Sequence, residues 1–165
     1  LAENLLLTRK HDLAASQIGR AVGWLNLKLI RDQAMGIIEK YKVKASGHEA
    51  TADSLSGGNL QKFLMGREIE AAPKLLIVSH PTWGVDVGAS AQIHEAILAL
   101  RDAECAVLIV SDELDELLEL SDRLHVMVDG RLSPSLSRKE ASVARIGTWM
   151  SGLWDTSKEA QYAAS

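Results

Sequence analysis

The chain has 165 residues, 47% of them hydrophobic, enough to close a packed core and a usual length for one domain. Eighteen Lys and Arg against 22 Asp and Glu leave a net charge of −4, which argues against a nucleic-acid binder held by bulk electrostatics, and the single cysteine, Cys105, excludes an internal disulfide or a multi-cysteine zinc site. The longest apolar run, residues 105–110, and shorter ones such as residues 75–78 fall far short of the roughly 20 residues of a membrane-spanning helix; no secretory leader is visible, and the chain opens on Leu1 rather than Met.

Leu5, Leu6 and Leu7 form an apolar cluster ahead of a polar stretch, residues 8–12. Over residues 26–42, Leu27, Ile30, Ala34, Ile37, Ile38 and Tyr41 recur at steps of three and four, which predicts a helix with one buried face and Asn26 as its N-cap. Residues 44–55 read as a loop. A second helix follows to about residue 71, with Leu60, Phe63, Leu64 and Met65 on its buried side and Pro73 marking its end. Then the chain alternates: a strand over residues 74–79, a helix over 89–101 with Ile93, Ile97 and Leu100 in phase, and a strand over 106–110. A helix over 113–120, a third strand over 123–128, a turn at Asp129-Gly130, a short return strand and a closing helix over 138–150 complete the pattern, with a polar tail after Trp154. Strand–helix–strand order with strands apolar throughout predicts an α/β fold, a parallel sheet covered by helices on both faces.

The strongest local feature is Leu55-Ser56-Gly57-Gly58-Asn59-Leu60-Gln61, a hydroxyl and two glycines at the start of a helix. Glycine lets a ligand approach the backbone, and helix N-terminal amides favour an anion. On composition alone the plainer reading stands ahead of it: Ser56 as an ordinary cap and glycine in the turn. Two further segments shift that balance, residues 75–89 (LLIVSHPTWGVDVGA) and residues 106–113 (AVLIVSDE).

With these in order, the chain resembles the nucleotide-binding domains of ABC transporters, whose signature Leu-Ser-Gly-Gly-x-x-Gln is met by residues 55–61. The Asn-Leu-Gln-Lys continuation, Gly84 to Ala89, residues 120–123 and residues 146–152 are similar to the tandem ATPases of sugar and nucleoside import. The resemblance runs from about Glu3 to Gly152. It implies part of a P-loop NTPase domain of the ABC ATPase type: a helical subdomain with the signature over residues 1–72, an α/β core over 73–152 and a polar tail over 153–165. No G-x-x-x-x-G-K-[ST] occurs in the chain, which within the family is expected of a piece that begins after the P-loop.

The resemblance also assigns positions. Ser56, Gly57, Gly58 and Gln61 would grip ATP held in trans by the P-loop of a second nucleotide-binding domain, and Asp86 would couple the two sites. Where the family ends its Walker B strand in Asp-Glu, this chain carries Ser79 and His80, and at the switch-histidine position it carries Asp112. Serine brings no charge to a metal. His80 reads as a degenerate strand end rather than a base, and Asp112 as the N-cap of the next helix. No residue therefore stands out as catalytic, and no metal ligands are expected in the chain. ATP and Mg²⁺ are cofactors of the full assembly.

The implied partners are the second nucleotide-binding domain, membrane permease subunits and, indirectly, a solute-binding protein, with no nucleic acid. The implied place is the cytoplasmic face of the plasma membrane. The expected role is an importer ATPase segment with a degenerate site of its own. The alternatives are a non-hydrolytic ABC-like regulatory or structural module, and an unrelated parallel α/β binding domain in which residues 56–58 are only a helix start. His11 and His48 read as solvated, His94 as helical, His125 as a strand residue, Cys105 as buried, and Trp24, Trp149 and Trp154 as packing residues; Trp83 has no assigned role.

Overall fold

The computed structural model describes residues 1–9 and 25–154; the expectations for His11, for Trp24 and for the tail beyond residue 154 lie outside the described residues. The chain forms two compact units, Leu1–Val110 and Ser111–Ser165.

The first unit opens with a 3-10 turn, Ala2–Leu5, that runs into α1 (Leu6–Arg9). Helix α2 (Leu27–Lys40) starts where its cap signal places it: Asn26 Oδ1 accepts from the Leu29 N–H at 3.0 Å. Ile30, Ala34, Ile37, Ile38 and Tyr41 are buried as the period requires, whereas Leu27, in the first turn, stands exposed. Those five buried residues form one core cluster of the unit together with Leu5 and Phe63.

Helix α3 (Gly57–Ile69) buries Phe63, Met65 and Ile69, while Leu60 and Leu64 are half-buried. It stops at Ile69, slightly short of the expected end; Ala72 takes a positive φ of 45° and turns the chain ahead of Pro73. Gly66 lets α3 approach the end of α2 closely. A Cβ there would lie 2.7 Å from Tyr41 Cδ2 and 2.8 Å from Ile37 Cγ2. Next to it the Tyr41 hydroxyl donates to Glu70 Oε1 at 2.9 Å, and Lys40 Nζ meets the same oxygen at 2.7 Å. Burial first, and the Glu70 carboxylate second, push the Tyr41 phenol above its ordinary pKa.

Strands β1 (Leu75–Ser79) and β2 (Ala106–Val110) pair in parallel, in register from Leu75↔Ala106 to Ser79↔Val110. The crossover helix α4 (Val87–Asp102) buries Ile93, Ile97 and Leu100 and packs on β2. In one respect the sheet departs from expectation. Leu75, Ile77, Leu108 and Val110 are all more than half exposed, so helices cover one face of this pair and not both. Continuous apolar strands announce two buried faces, but they do not say which chain segment buries the second.

The second unit contains α5 (Leu114–Leu120), β3 (Arg123–Leu124), β4 (Met127–Val128), β5 (Arg131–Leu132), β6 (Leu136–Ser137) and α6 (Val143–Met150). The expected third strand, residues 123–128, is thus two short strands. They do not extend the parallel sheet: β3 pairs antiparallel with β6, and β4 with β5. The break falls at His125 and Val126. His125 Nδ1 lies 2.9 Å from the Ser133 carbonyl oxygen, the Val126 N–H donates to the buried Ser133 Oγ at 2.9 Å, and the Val126 carbonyl accepts the Ser133 N–H at 2.8 Å, so a side-chain hydroxyl takes one ladder position at Val126.

The Asp129-Gly130 turn closes the β4–β5 hairpin as expected, both residues having positive φ, the I′ pattern that suits the strand twist. The closing helix begins at Val143, not at residue 138, because Ser142 Oγ accepts the Arg145 N–H at 3.2 Å and caps it there. Leu124, Leu136, Ile146 and Trp149 form the core of this unit, with Trp154 packed against it. Among the described residues no helix is long and apolar enough to cross a membrane.

Candidate nucleotide-facing site

The start of α3 and the loop after β1 lie together in the first unit. Ser56 occupies the N-cap position with extended backbone, yet its hydroxyl makes no cap hydrogen bond. Ser56 Oγ instead accepts from Asn59 Nδ2 at 2.8 Å, while Asn59 Oδ1 accepts the Lys44 N–H at 2.8 Å. The backbone donor fixes which end of the Asn59 amide is oxygen, and so fixes that its NH₂ faces Ser56. A hydroxyl that accepts in this way keeps its own proton to donate. Ser56 and Gly57 are exposed, and a Cβ on Gly57 would meet nothing within 4 Å. The first-turn N–H groups of a helix have no carbonyl one turn back, so with the Ser56 hydroxyl they offer hydrogen-bond donors to an anion from solvent. Ser56 is thus the N-cap through its backbone, its carbonyl accepting the Leu60 N–H at 2.9 Å, while its hydroxyl bonds to Asn59.

The other residues of the motif face inward. Gly58, Gln61 and Lys62 stand three and four residues apart, on one face of α3. A Cβ on Gly58 would overlap the Gly84 carbonyl oxygen and lie 3.3 Å from its carbon. Gln61 Nε2 donates to the carbonyl oxygens of His80 and Pro81, each at 3.0 Å. Lys62 Nζ sits 2.6 Å from Asp86 Oδ2.

Asp86 is also the N-cap of α4, its Oδ1 accepting the Ala89 N–H at 3.0 Å. The hydrogen bond from Lys62, and after it the one from Ala89, hold the Asp86 carboxyl below the usual carboxylate range. The grouping of Ser56, Gly57, Gly58, Gln61 and Asp86 drawn from the sequence is therefore one neighbourhood. Asn59, Lys62 and Gly84 complete it, and the sequence reading gave them no role. For Asn59 and Lys62 the signal was present as helical spacing from Ser56 and Gly58, but Lys44, Asp86 and Gly84 lie in other segments, and only the fold brings them here.

Ser79 ends β1 exposed. His80 follows with φ of 48°, its N–H donating to the Val110 carbonyl at 2.8 Å. Histidine is among the residues that tolerate this left-handed region better than most. Asp112, in the second unit, is exposed and is not the N-cap of α5. Glu113 holds that position, because Ser111 Oγ accepts the Glu113 N–H at 3.1 Å and shifts the helix start by one residue. Ser79 and His80 bring no carboxylate to the end of β1. Among the described residues no group of three or more His, Cys, Asp or Glu is arranged to hold a metal ion. His48 is half-buried rather than solvated, with Nδ1 shielded from solvent. Cys105 and His94 are buried, and Trp83 is 76% exposed.

No protein-family model matches the chain. It is 40% identical over 152 residues to a nucleoside import ATP-binding protein of Lactococcus lactis subsp. cremoris, covering 92% of this chain and 29% of that protein. It is 39% identical over 160 residues to a guanosine import ATP-binding protein of Bacillus subtilis, covering 97% and 30%. A ribose import ATP-binding protein of Rhizobium etli is 38% identical over 144 residues, 87% of this chain and 28% of that protein. The chain thus spans less than a third of the length of these relatives.

Among solved structures, the ADP conformation of an ATP-binding cassette of an ABC transporter superposes with a TM-score of 0.57 at 25% identity, covering 91% of this chain and 58% of the cassette. The ATP-binding subunit of another ABC transporter superposes with a TM-score of 0.68 at 14% identity, covering 91% and 61%, a likeness of fold alone. Over most of its length the chain is thus homologous to part of the sugar and nucleoside import ATP-binding proteins, and its fold is that of an ABC-transporter ATP-binding cassette.

Proposed function

We propose that this chain works in an ABC importer of the simple-sugar or nucleoside type, where the start of α3 completes an ATP site held by the P-loop of a second nucleotide-binding domain. The observation that carries the reading is the Ser56 hydroxyl, turned away from capping by Asn59 and set at an exposed helix start with Gly57 beside it. Phosphoryl transfer spreads negative charge over the transferred group, and preformed N–H and O–H donors aimed at that charge stabilise it. Ser56 and the first-turn amides supply such donors. Asp86 and the loop before it lie beside them and link the helix start to the end of β1.

The chain's own strand end is read as hydrolytically silent. Ser79 and His80 replace the family's carboxylates, and Asp112 would repel a γ-phosphate rather than hold it. Mg²⁺ supplies charge neutralisation when bound with ATP, and in this reading the partner's residues hold it. The importer class rests on what the relatives are named for; permease subunits as further partners and a peripheral position on the cytoplasmic face of the membrane follow from the family resemblance of the motifs. A solute-binding protein is reached only through those subunits.

The test is steady-state ATP hydrolysis by the assembled transporter. Ser56→Arg, which places a long cation where a phosphate should sit, is expected to lower hydrolysis by about a hundredfold or more. His80→Asn, which keeps a residue tolerant of the left-handed backbone, is expected to leave most of the activity. Full activity in Ser56→Arg, or a large loss in His80→Asn, would overturn the assignment of the two sites.

A further inference from the structure

The signature-like heptapeptide divides by direction. Ser56 and Gly57 face solvent, whereas Gly58 and Gln61 face the loop that joins β1 to α4. That loop has an irregular path. It leaves β1 through His80 at φ 48°, turns through a Trp83 N–H to His80 carbonyl bond of 3.2 Å and a Val85 N–H to Thr82 carbonyl bond of 3.3 Å, passes Gly84 at φ 70°, and enters α4 at Asp86. Short turns of this kind are weakly held by their own hydrogen bonds. Three contacts from α3 hold it from outside: the close approach of Gly58 to Gly84, the two bonds from Gln61 and the Lys62–Asp86 ion pair.

The Lys62–Asp86 pair is the weakest of the three by its setting, because the Asp86 side chain is 67% exposed and water screens it. Gln61 is partly buried and spends both hydrogens of one nitrogen on two successive carbonyls. The carbonyl of His80 thereby takes a bond from Gln61 and one from the Trp83 N–H. Its position fixes the peptide that follows the strand end.

We infer that Gln61 is a positioning residue rather than a nucleotide contact: by donating to His80 and Pro81 it holds the 80–86 loop against the start of α3, so that Ser56 and Asp86 reach a partner-held nucleotide as one preformed surface. The inference deepens the proposed trans role of Ser56 and rests on it for its effect on hydrolysis. The latch itself is a property of this chain alone.

The latch uses only the donor end of Gln61, and this sets the test. Gln61→Glu keeps the shape and the acceptor and removes both donors. Gln61→Lys removes the acceptor and restores donors on a side chain long enough to span two carbonyls. In the assembled ATPase, Gln61→Glu is expected to lower kcat by about tenfold or more with the KM for ATP within about twofold of the parent. Gln61→Lys is expected to recover most of kcat. Amide exchange at Trp83 should quicken in Gln61→Glu and return towards the parent rate in Gln61→Lys.

A tolerated Glu with an inactive Lys, or a raised KM at unchanged kcat, would overturn the inference and return Gln61 to the nucleotide. Unchanged exchange at Trp83 in Gln61→Glu would overturn it as well. Ser56→Arg run in parallel separates the two claims. If that variant hydrolyses ATP normally, the trans reading fails, and the exchange arm alone decides the latch.

Discussion

At the scale of single residues, the two adjacent glycines of the motif do different work. Gly57 borders open space, and Gly58 is pressed against the Gly84 carbonyl. Gly58→Ala must therefore push the 80–86 loop away from α3, and overpacking of this kind costs about 1–3 kcal/mol. Gly57→Ala meets no atom, and alanine in place of glycine near a helix start is close to neutral or slightly stabilising. Urea unfolding monitored by circular dichroism should show a lower midpoint for Gly58→Ala and an unchanged or higher one for Gly57→Ala. The sequence carried the Ser-Gly-Gly triplet plainly, but not this division, because it depends on where Gly84 lies in space. The same limit applied to Asp112. The sequence placed a helix start near it, yet the Ser111 hydroxyl, one residue earlier, decided where the cap fell.

At the scale of elements, helical periodicity made α2 and α4 legible as long amphipathic stretches, and Asn26 fixed the start of α2, whereas the start of α4 fell two residues earlier than expected because the Asp86 side chain caps it. The short strands of the second unit were not legible. Ser133 takes the Val126 N–H and splits one apolar run into two strands, an event that no periodicity records. The contact of α2 with α3 is equally hidden in sequence, since it turns on Gly66 facing Tyr41.

That contact has a pH signature. The Tyr41 phenol is held above its ordinary value, so in the folded chain it keeps its proton where the unfolded chain loses it, at about pH 10. Its contribution is complete below that pH and is lost as pH rises through the folded value. Stability against urea is expected to fall as pH is raised above about 10, and the fall should be shallower in Tyr41→Phe, which has no phenol to ionise. An identical slope in the two proteins would remove Tyr41 as its source.

At the scale of the whole molecule, the α/β class and a parallel sheet were readable from the order of apolar runs and motifs. The bare sheet face was not. Leu75, Ile77, Leu108 and Val110 place an apolar surface in solvent on the first unit. Exposed surface of this kind promotes association. Ile77→Thr, which keeps a β-branched side chain and adds a hydroxyl, should reduce binding of a hydrophobic dye and light scattering on concentration, while leaving the unfolding midpoint close to the parent. Dye binding equal to that of the parent would place the sticky surface elsewhere.

The central claim is that the start of α3 meets a nucleotide that another domain holds. Amide hydrogen exchange at Gly57 and Gly58 tests it most directly, measured on the chain alone, with ATP, with a P-loop-bearing partner domain, and with both together. The account predicts slowed exchange at these two amides only when partner and ATP are both present, and loss of that protection in Ser56→Arg. Protection by ATP without the partner, or none with both, would contradict it.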